Sequence, residues 1–224
     1  MVQTPNRILT LEEFLALPET QLYCEYIDGK IIPKPMPQGK YIAFPNHMRY
    51  VIAPSSQAGR GSGGGVLVSH STENRYSTIQ GELCPAINSV VKVQKMGWAF
   101  PELRCTFAGC SIVPDVAVFS WARLPVDEND DIANTFAAAP DWIIEILSPE
   151  QSHTKVTKKI LHALNHGTQM GWLIDPDERF IAAYPAGQQP LPFEEIESIL
   201  PVPEFCQGLQ LTVGDIFGWL KVTA

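Results

Sequence analysis

Two carboxylates interrupt apolar runs in this 224-residue chain. Asp115 lies within Ser111-Ile-Val-Pro-Asp-Val-Ala-Val-Phe119, and Glu145 within Asp141-Trp-Ile-Ile-Glu-Ile-Leu147. Both runs read as core strands, on which alternate side chains share a face. Asp115 then keeps company with Val113, Ala117 and Phe119, and Glu145 with Ile143 and Leu147. Burying an ionised carboxylate costs several kcal/mol unless it is paired or bound to a metal. A single such residue is well explained by hydrogen bonding at a strand end. Two on successive core strands call for a shared partner, and a hard divalent cation with oxygen ligands is the natural one. Downstream, Lys155, Lys159, His162 and His166 fall on one stripe of a helix at about 100° per residue. A lysine beside two metal-binding acids can orient water and stabilise charge developing on a phosphate. On spacing alone, such a stripe is more often a solvated basic face.

These residues need elements to carry them. Thr10 caps a short helix that Pro18 ends, and Asp28-Gly29 joins two short strands, 22–27 and 30–33, the first of which carries Glu25. Residues 41–76 have no sustained period and hold a Gly/Ser run at 61–65, so they read as an insertion in a single domain spanning 1–224. Lacking a following Gly-Lys-Ser/Thr, the glycines make no phosphate loop. Residues 77–91 predict a helix burying Ile79, Leu83, Ile87, Val90 and Val91, with Pro85 implying a kink. Strands are predicted at 102–107, 111–119 and 141–147, with an acidic loop over 121–140. A helix over about 155–166, burying Val156, Ile160 and Leu164, leads to a hairpin over 171–184 that turns at Asp175-Pro176-Asp177. Strand, helix, strand over this length is a βαβ unit, and the class is α/β. A final helix occupies about 212–220.

Composition narrows the function. The five cysteines, Cys24, Cys84, Cys105, Cys110 and Cys206, form no C-x-x-C pair and read as reduced thiols rather than a zinc site. No apolar run approaches the ~20 residues a membrane span needs. The N-terminus lacks a basic-then-apolar leader pattern, so the expected address is cytoplasmic. The net charge of −8 argues against a broad basic face for duplex DNA and requires any nucleic-acid contacts to be local.

Taken together, Ile112-Val-Pro-Asp-Val-Ala-Val, Asp141-Trp-Ile-Ile-Glu-Ile-Leu-Ser-Pro, Lys159 and Gly171-Trp-Leu-Ile-Asp-Pro resemble the Uma2 family of restriction-type endonucleases. Glu25-Tyr-Ile-Asp-Gly-Lys-Ile and Leu211-Thr-Val-Gly-Asp-Ile-Phe-Gly-Trp-Leu match its pattern as well. That group sits in the PD-(D/E)XK superfamily. The resemblance implies a restriction-endonuclease-like mixed central β-sheet flanked by helices, and hydrolysis of DNA with Mg²⁺ or Mn²⁺. By position it makes Asp115, Glu145 and the main-chain carbonyl of Ile146 metal ligands. Where the superfamily places a lysine two residues after the second acid, this chain has Leu147. The family draws its lysine from the next helix, at Lys159, with Lys155 one turn earlier as substitute or assistant. Glu25 resembles an acid beside the site, and a homodimer follows by analogy with nucleases that cut both strands. A different class stays open: a binding protein that keeps the nuclease fold without cutting.

Overall fold

The computed structural model describes residues 9–17, 24–34, 71–149 and 151–222. Thr10 caps α1 (Leu11–Leu15) through a reciprocal pair of bonds with Glu13. There follow β1 (Cys24–Ile27), β2 (Lys30–Pro33), α2 (Ser71–Val91), β3 (Gly97–Pro101), β4 (Cys105–Phe107), β5 (Cys110–Ile112) and β6 (Val116–Ser120). The chain continues through β7 (Trp142–Ile146), α3 (His153–Leu164), β8 (Met170–Asp175), β9 (Phe180–Pro185), β10 (Leu191–Phe193) and α4 (Val213–Gly218).

The central sheet runs β10-β9-β8-β7-β6-β3 and is antiparallel except between β7 and β8. Parallel neighbours need a crossover, and α3 supplies it, packing on the two strands it joins. Both faces of β7 are therefore covered, which is why its sequence is apolar almost throughout. Trp142, Ile144 and Ile146 point to the side of α2 and α4, while Ile143 and Leu147 point to the side of α3. Asp175 ends β8 by accepting the main-chain N–H groups of Asp177 and Glu178, so the hairpin turns over 176–179, slightly later than expected.

Helix α2 buries Ile79, Leu83, Ile87 and Val91 completely, with Val90 half-buried beside them. Pro85 sits inside it on the exposed side, where the bond it cannot donate is set against a long apolar face. The helix begins at Ser71, six residues before the expected start. Residues 71–76 thus leave the expected insertion and join the fold, because Tyr76 continues the apolar period of Ile79 and Leu83 upstream. The remainder, 41–70, lies outside the described residues.

A second, antiparallel sheet runs β2-β1-β5-β4. Its two hairpins share one turn chemistry: Asp28 and Gly29 have φ of 51° and 74°, Ala108 and Gly109 have 46° and 75°. Paired positive φ values match the right-handed twist of the flanking strands. The second hairpin corrects the expected strand over 111–119. Its first part, β5, belongs to the small sheet and its second, β6, to the central one, with Val113-Pro114-Asp115 crossing between them. Pro114 has no N–H to offer a ladder, so pairing stops there. The strand expected over 102–107 shortens to β4, which starts at Cys105, and β3, which ends at Pro101 before it, was not expected.

The seat of α3 depends on Gly171 of β8. A Cβ there would run into Cγ2 of Ile160 and would stand 3.5 Å from both Ile143 and Tyr184. Gly171→Ala is expected to destabilise the protein by about 1–3 kcal/mol through overpacking. In thermal or urea melts, Gly171→Ala/Ile160→Ala should lose less than the sum of the single changes. Strict additivity would show that α3 does not rest on this contact.

Candidate functional site

The crossing between the sheets places Asp115 at the foot of β6, beside the neighbouring strand β7 that carries Glu145. Both residues are 0% exposed. Asp115 is held by three donors. Its Oδ1 accepts from the Tyr76 hydroxyl at 2.6 Å and pairs with Lys34 Nζ at 2.7 Å. Its Oδ2 accepts the main-chain N–H of Ile146 at 2.7 Å. The main-chain carbonyl of Asp115 accepts from Gln80 at 3.0 Å, tying the crossing to α2 a second time.

Glu145 is held far less completely. Lys159 Nζ lies 2.7 Å from its Oε2 and 2.8 Å from Oε1 of Glu25. Glu25 in turn accepts the Val113 N–H at 2.8 Å, joining the small sheet to the crossing. Oε1 of Glu145 is buried with no hydrogen-bond partner. Burial of this kind costs free energy unless something else satisfies the atom.

The two acids titrate in opposite directions for this reason. Burial raises Asp115, but the charges of Lys34 and Lys159 and the bonds from Lys34 and Tyr76 outweigh it, holding its pKa below the ordinary range. Burial pushes Glu145 from an ordinary 4.5 up to about 8, the charges of Asp115 and Glu25 add to this, and Lys159 only partly offsets it. Lys159 stays protonated: burial disfavours its charge, yet Glu145, Glu25 and Asp115 more than compensate. Tyr76 is raised by burial first and then by the negative charge of Asp115.

Four of the residues picked out in the sequence therefore meet here: Asp115, Glu145, Lys159 and Glu25. Ile146 is present through its amide, which fixes Asp115. Lys155 is not brought in. It is exposed on α3, whose packing face is Val156, Lys159, Ile160 and Ala163. The single basic stripe accordingly divides, with Lys159 turned inward and the others elsewhere. His162 and His166 lie against Phe107 of the β4–β5 hairpin, with ring centroids 5.2 and 6.0 Å away. Lys34, Tyr76 and Gln80 were missed in the sequence. Tyr76 was findable by extending the helical period upstream from Ile79, and Gln80 lies inside the expected helix, one residue after Ile79. Lys34 carries no local signal, since the segment it contacts lies 79 residues away.

The donor set suits a hard divalent cation. Glu145 has an unused oxygen, and Oδ2 of Asp115 has one donor and a second lone pair. Set against Lys34 and Lys159, the carboxylates of Glu25, Asp115 and Glu145 leave one surplus negative charge once Glu145 ionises. Among the described residues no three His, Cys, Asp or Glu side chains form a ready-made metal cluster, so main-chain or solvent oxygens would have to complete the shell.

A mixed central sheet flanked by helices thus carries two buried acids, one at the foot of β6 and one on β7, with a lysine from the crossover helix against the second. The family described as "Putative restriction endonuclease", Uma2, matches residues 62–214, and the chain belongs to it. The fold is similar to the crystal structure of "a putative nuclease belonging to DUF820" from Anabaena variabilis ATCC 29413, with a TM-score of 0.77 and 49% identity. That match covers 95% of this chain and 99% of the other. No curated protein matches. Among the described residues no helix is long and apolar enough to cross a membrane.

The opposed pKa shifts give the metal-free protein a characteristic pH response. Glu145, raised in the fold, contributes stability that is complete below the ordinary glutamate range and is lost as pH rises toward about 8. Asp115, depressed in the fold, contributes stability that is lost only as pH falls below the ordinary aspartate range. In chelator-treated protein, wild type should lose stability between about pH 5 and pH 8 relative to Glu145→Gln, as urea midpoints would record. Parallel curves for the two proteins in this window would contradict the raised Glu145.

Proposed function

We propose that the protein is a metal-dependent endonuclease that hydrolyses phosphodiester bonds in DNA. The observation that carries this reading is the fully buried pair of Asp115, at the foot of β6, and Glu145, on the adjacent β7, with Glu145 Oε1 unsatisfied and Lys159 against Oε2. Asp115 and Glu145, with the main-chain carbonyl of Ile146, would hold Mg²⁺ or Mn²⁺. When bound, such a cation supplies Lewis-acid charge and lowers the pKa of water.

The protein's own groups set the remaining conditions. Ile146 N–H, Tyr76 and Lys34 hold the Asp115 carboxylate in one orientation, so it need not reorganise during the reaction. Lys159 is fixed between Glu25 and Glu145 and keeps its proton, so it brings positive charge to the acids where a phosphate would sit. Glu25 positions Lys159 rather than touching the reacting atoms. Belonging to a family of restriction-type nucleases supports DNA as the substrate class. The chain's net charge of −8 means that affinity for DNA rests on the loaded site and local contacts rather than on a basic face.

The same charge favours a second reading, a nuclease-fold protein that binds without cutting. Plasmid nicking with Mg²⁺ or Mn²⁺ separates them. Wild type should nick supercoiled DNA and lose the activity to a chelator. Asp115→Ala and Glu145→Ala should each lower the rate by roughly a hundredfold or more. Equal rates in all three proteins would overturn the site, and Mn²⁺ binding with no nicking by wild type would favour the second reading.

A further inference from the structure

Glu102 stands beside Asp115 without a task in the proposed reaction. It follows β3 and donates its main-chain N–H to the Asp115 carbonyl at 3.2 Å. Its φ is 47°, a left-handed conformation that glycine adopts freely and other residues adopt at a cost. The position thus carries a carboxylate where the backbone alone would favour none. Its side chain is 30% exposed, yet Oε1 is buried and has no hydrogen-bond partner.

Lys34 lies between this carboxylate and Asp115. Its Nζ is 2.7 Å from Asp115 Oδ1, donates to the Val113 carbonyl at 2.9 Å, and is 3.9 Å from Glu102 Oε1. It is bonded to one acid and about 1 Å short of a close ion pair with the other. A divalent cation on Asp115 and an ammonium on the same carboxylate repel one another, and in a site closed to water that repulsion is poorly screened.

Resting on the reading of Asp115 and Glu145 as cation ligands, we infer that Lys34 is the counter-ion a divalent cation displaces from Asp115, and that Glu102 is the carboxylate that receives it. Lys34 holds Asp115 ready in the metal-free protein and lowers its affinity for the cation. Glu102 lessens that penalty by giving the ammonium a partner on loading. Both are positioning residues that act through Asp115.

Titrating the full chain with Mn²⁺ alone, by calorimetry and by the electron paramagnetic resonance signal of free Mn²⁺, tests this. Lys34→Met should bind Mn²⁺ about tenfold more tightly than wild type. Glu102→Gln should bind it about tenfold more weakly, and this loss should shrink to under about threefold in the Lys34→Met background. A merely structural Lys34 would instead weaken binding on removal, by freeing Asp115 to move. Unchanged or weaker binding by Lys34→Met overturns the inference while the cation site itself stands. No Mn²⁺ binding by wild type or by Lys34→Met overturns the cation reading and this inference with it. Should Lys34→Met fail to fold, the partly exposed Glu102→Gln decides alone: weaker Mn²⁺ binding at an unchanged melting temperature supports the role, and equal affinity overturns it.

Discussion

A carboxylate shut off from water must find its counter-charge inside the protein, and Asp115 and Glu145 are both in that position. The elements around them can be understood as the means of delivering the partners. Lys159 comes from α3, which lies there because β7 and β8 are parallel and need a crossover. Lys34 comes from the end of β2, so the small sheet must pair β1 to β5 and stand next to the crossing at Val113-Pro114-Asp115. Tyr76 comes from the first turns of α2. Glu25 closes the ring by binding Lys159 and the Val113 N–H together. Removing one partner of a buried ion pair typically costs about 3–5 kcal/mol, so these contacts join the two sheets as well as forming a site.

Equal burial has not given the two acids equal character. Asp115 meets two lysines' fields, a phenol and an amide, and is held ionised. Glu145 meets one ammonium on one oxygen, feels two neighbouring carboxylates, and is driven toward its neutral form. A structural role alone would be better served by satisfying both. The unsatisfied Glu145 Oε1 is what one expects of a group whose partner arrives from outside the chain.

The acids were legible in the sequence because a carboxylate inside an apolar run is a local anomaly, visible without any knowledge of the fold. Their strand assignment was less accurate. The run around Asp115 looked continuous, and only the missing N–H of Pro114 hinted that it changes sheets. Lys159 was visible as a residue, but its direction was not. Counting it with Lys155, His162 and His166 gave a solvated stripe, whereas its closeness in angle to Val156 and Ala163 carries it inward. Helix α2 was found by its period yet begun too late, which left Tyr76 outside. Lys34 was beyond reach, since an ion pair made across such a sequence separation leaves no trace in local pattern.

The most direct measurement of the central claim is anomalous diffraction from crystals soaked in Mn²⁺. The expected result is a single strong peak within coordination distance, about 2.0–2.3 Å, of Glu145 Oε1 and Asp115 Oδ2, with Lys159 still against Glu145. Crystals that take up Mn²⁺ only at surface carboxylates, leaving Glu145 Oε1 without a ligand, would contradict it.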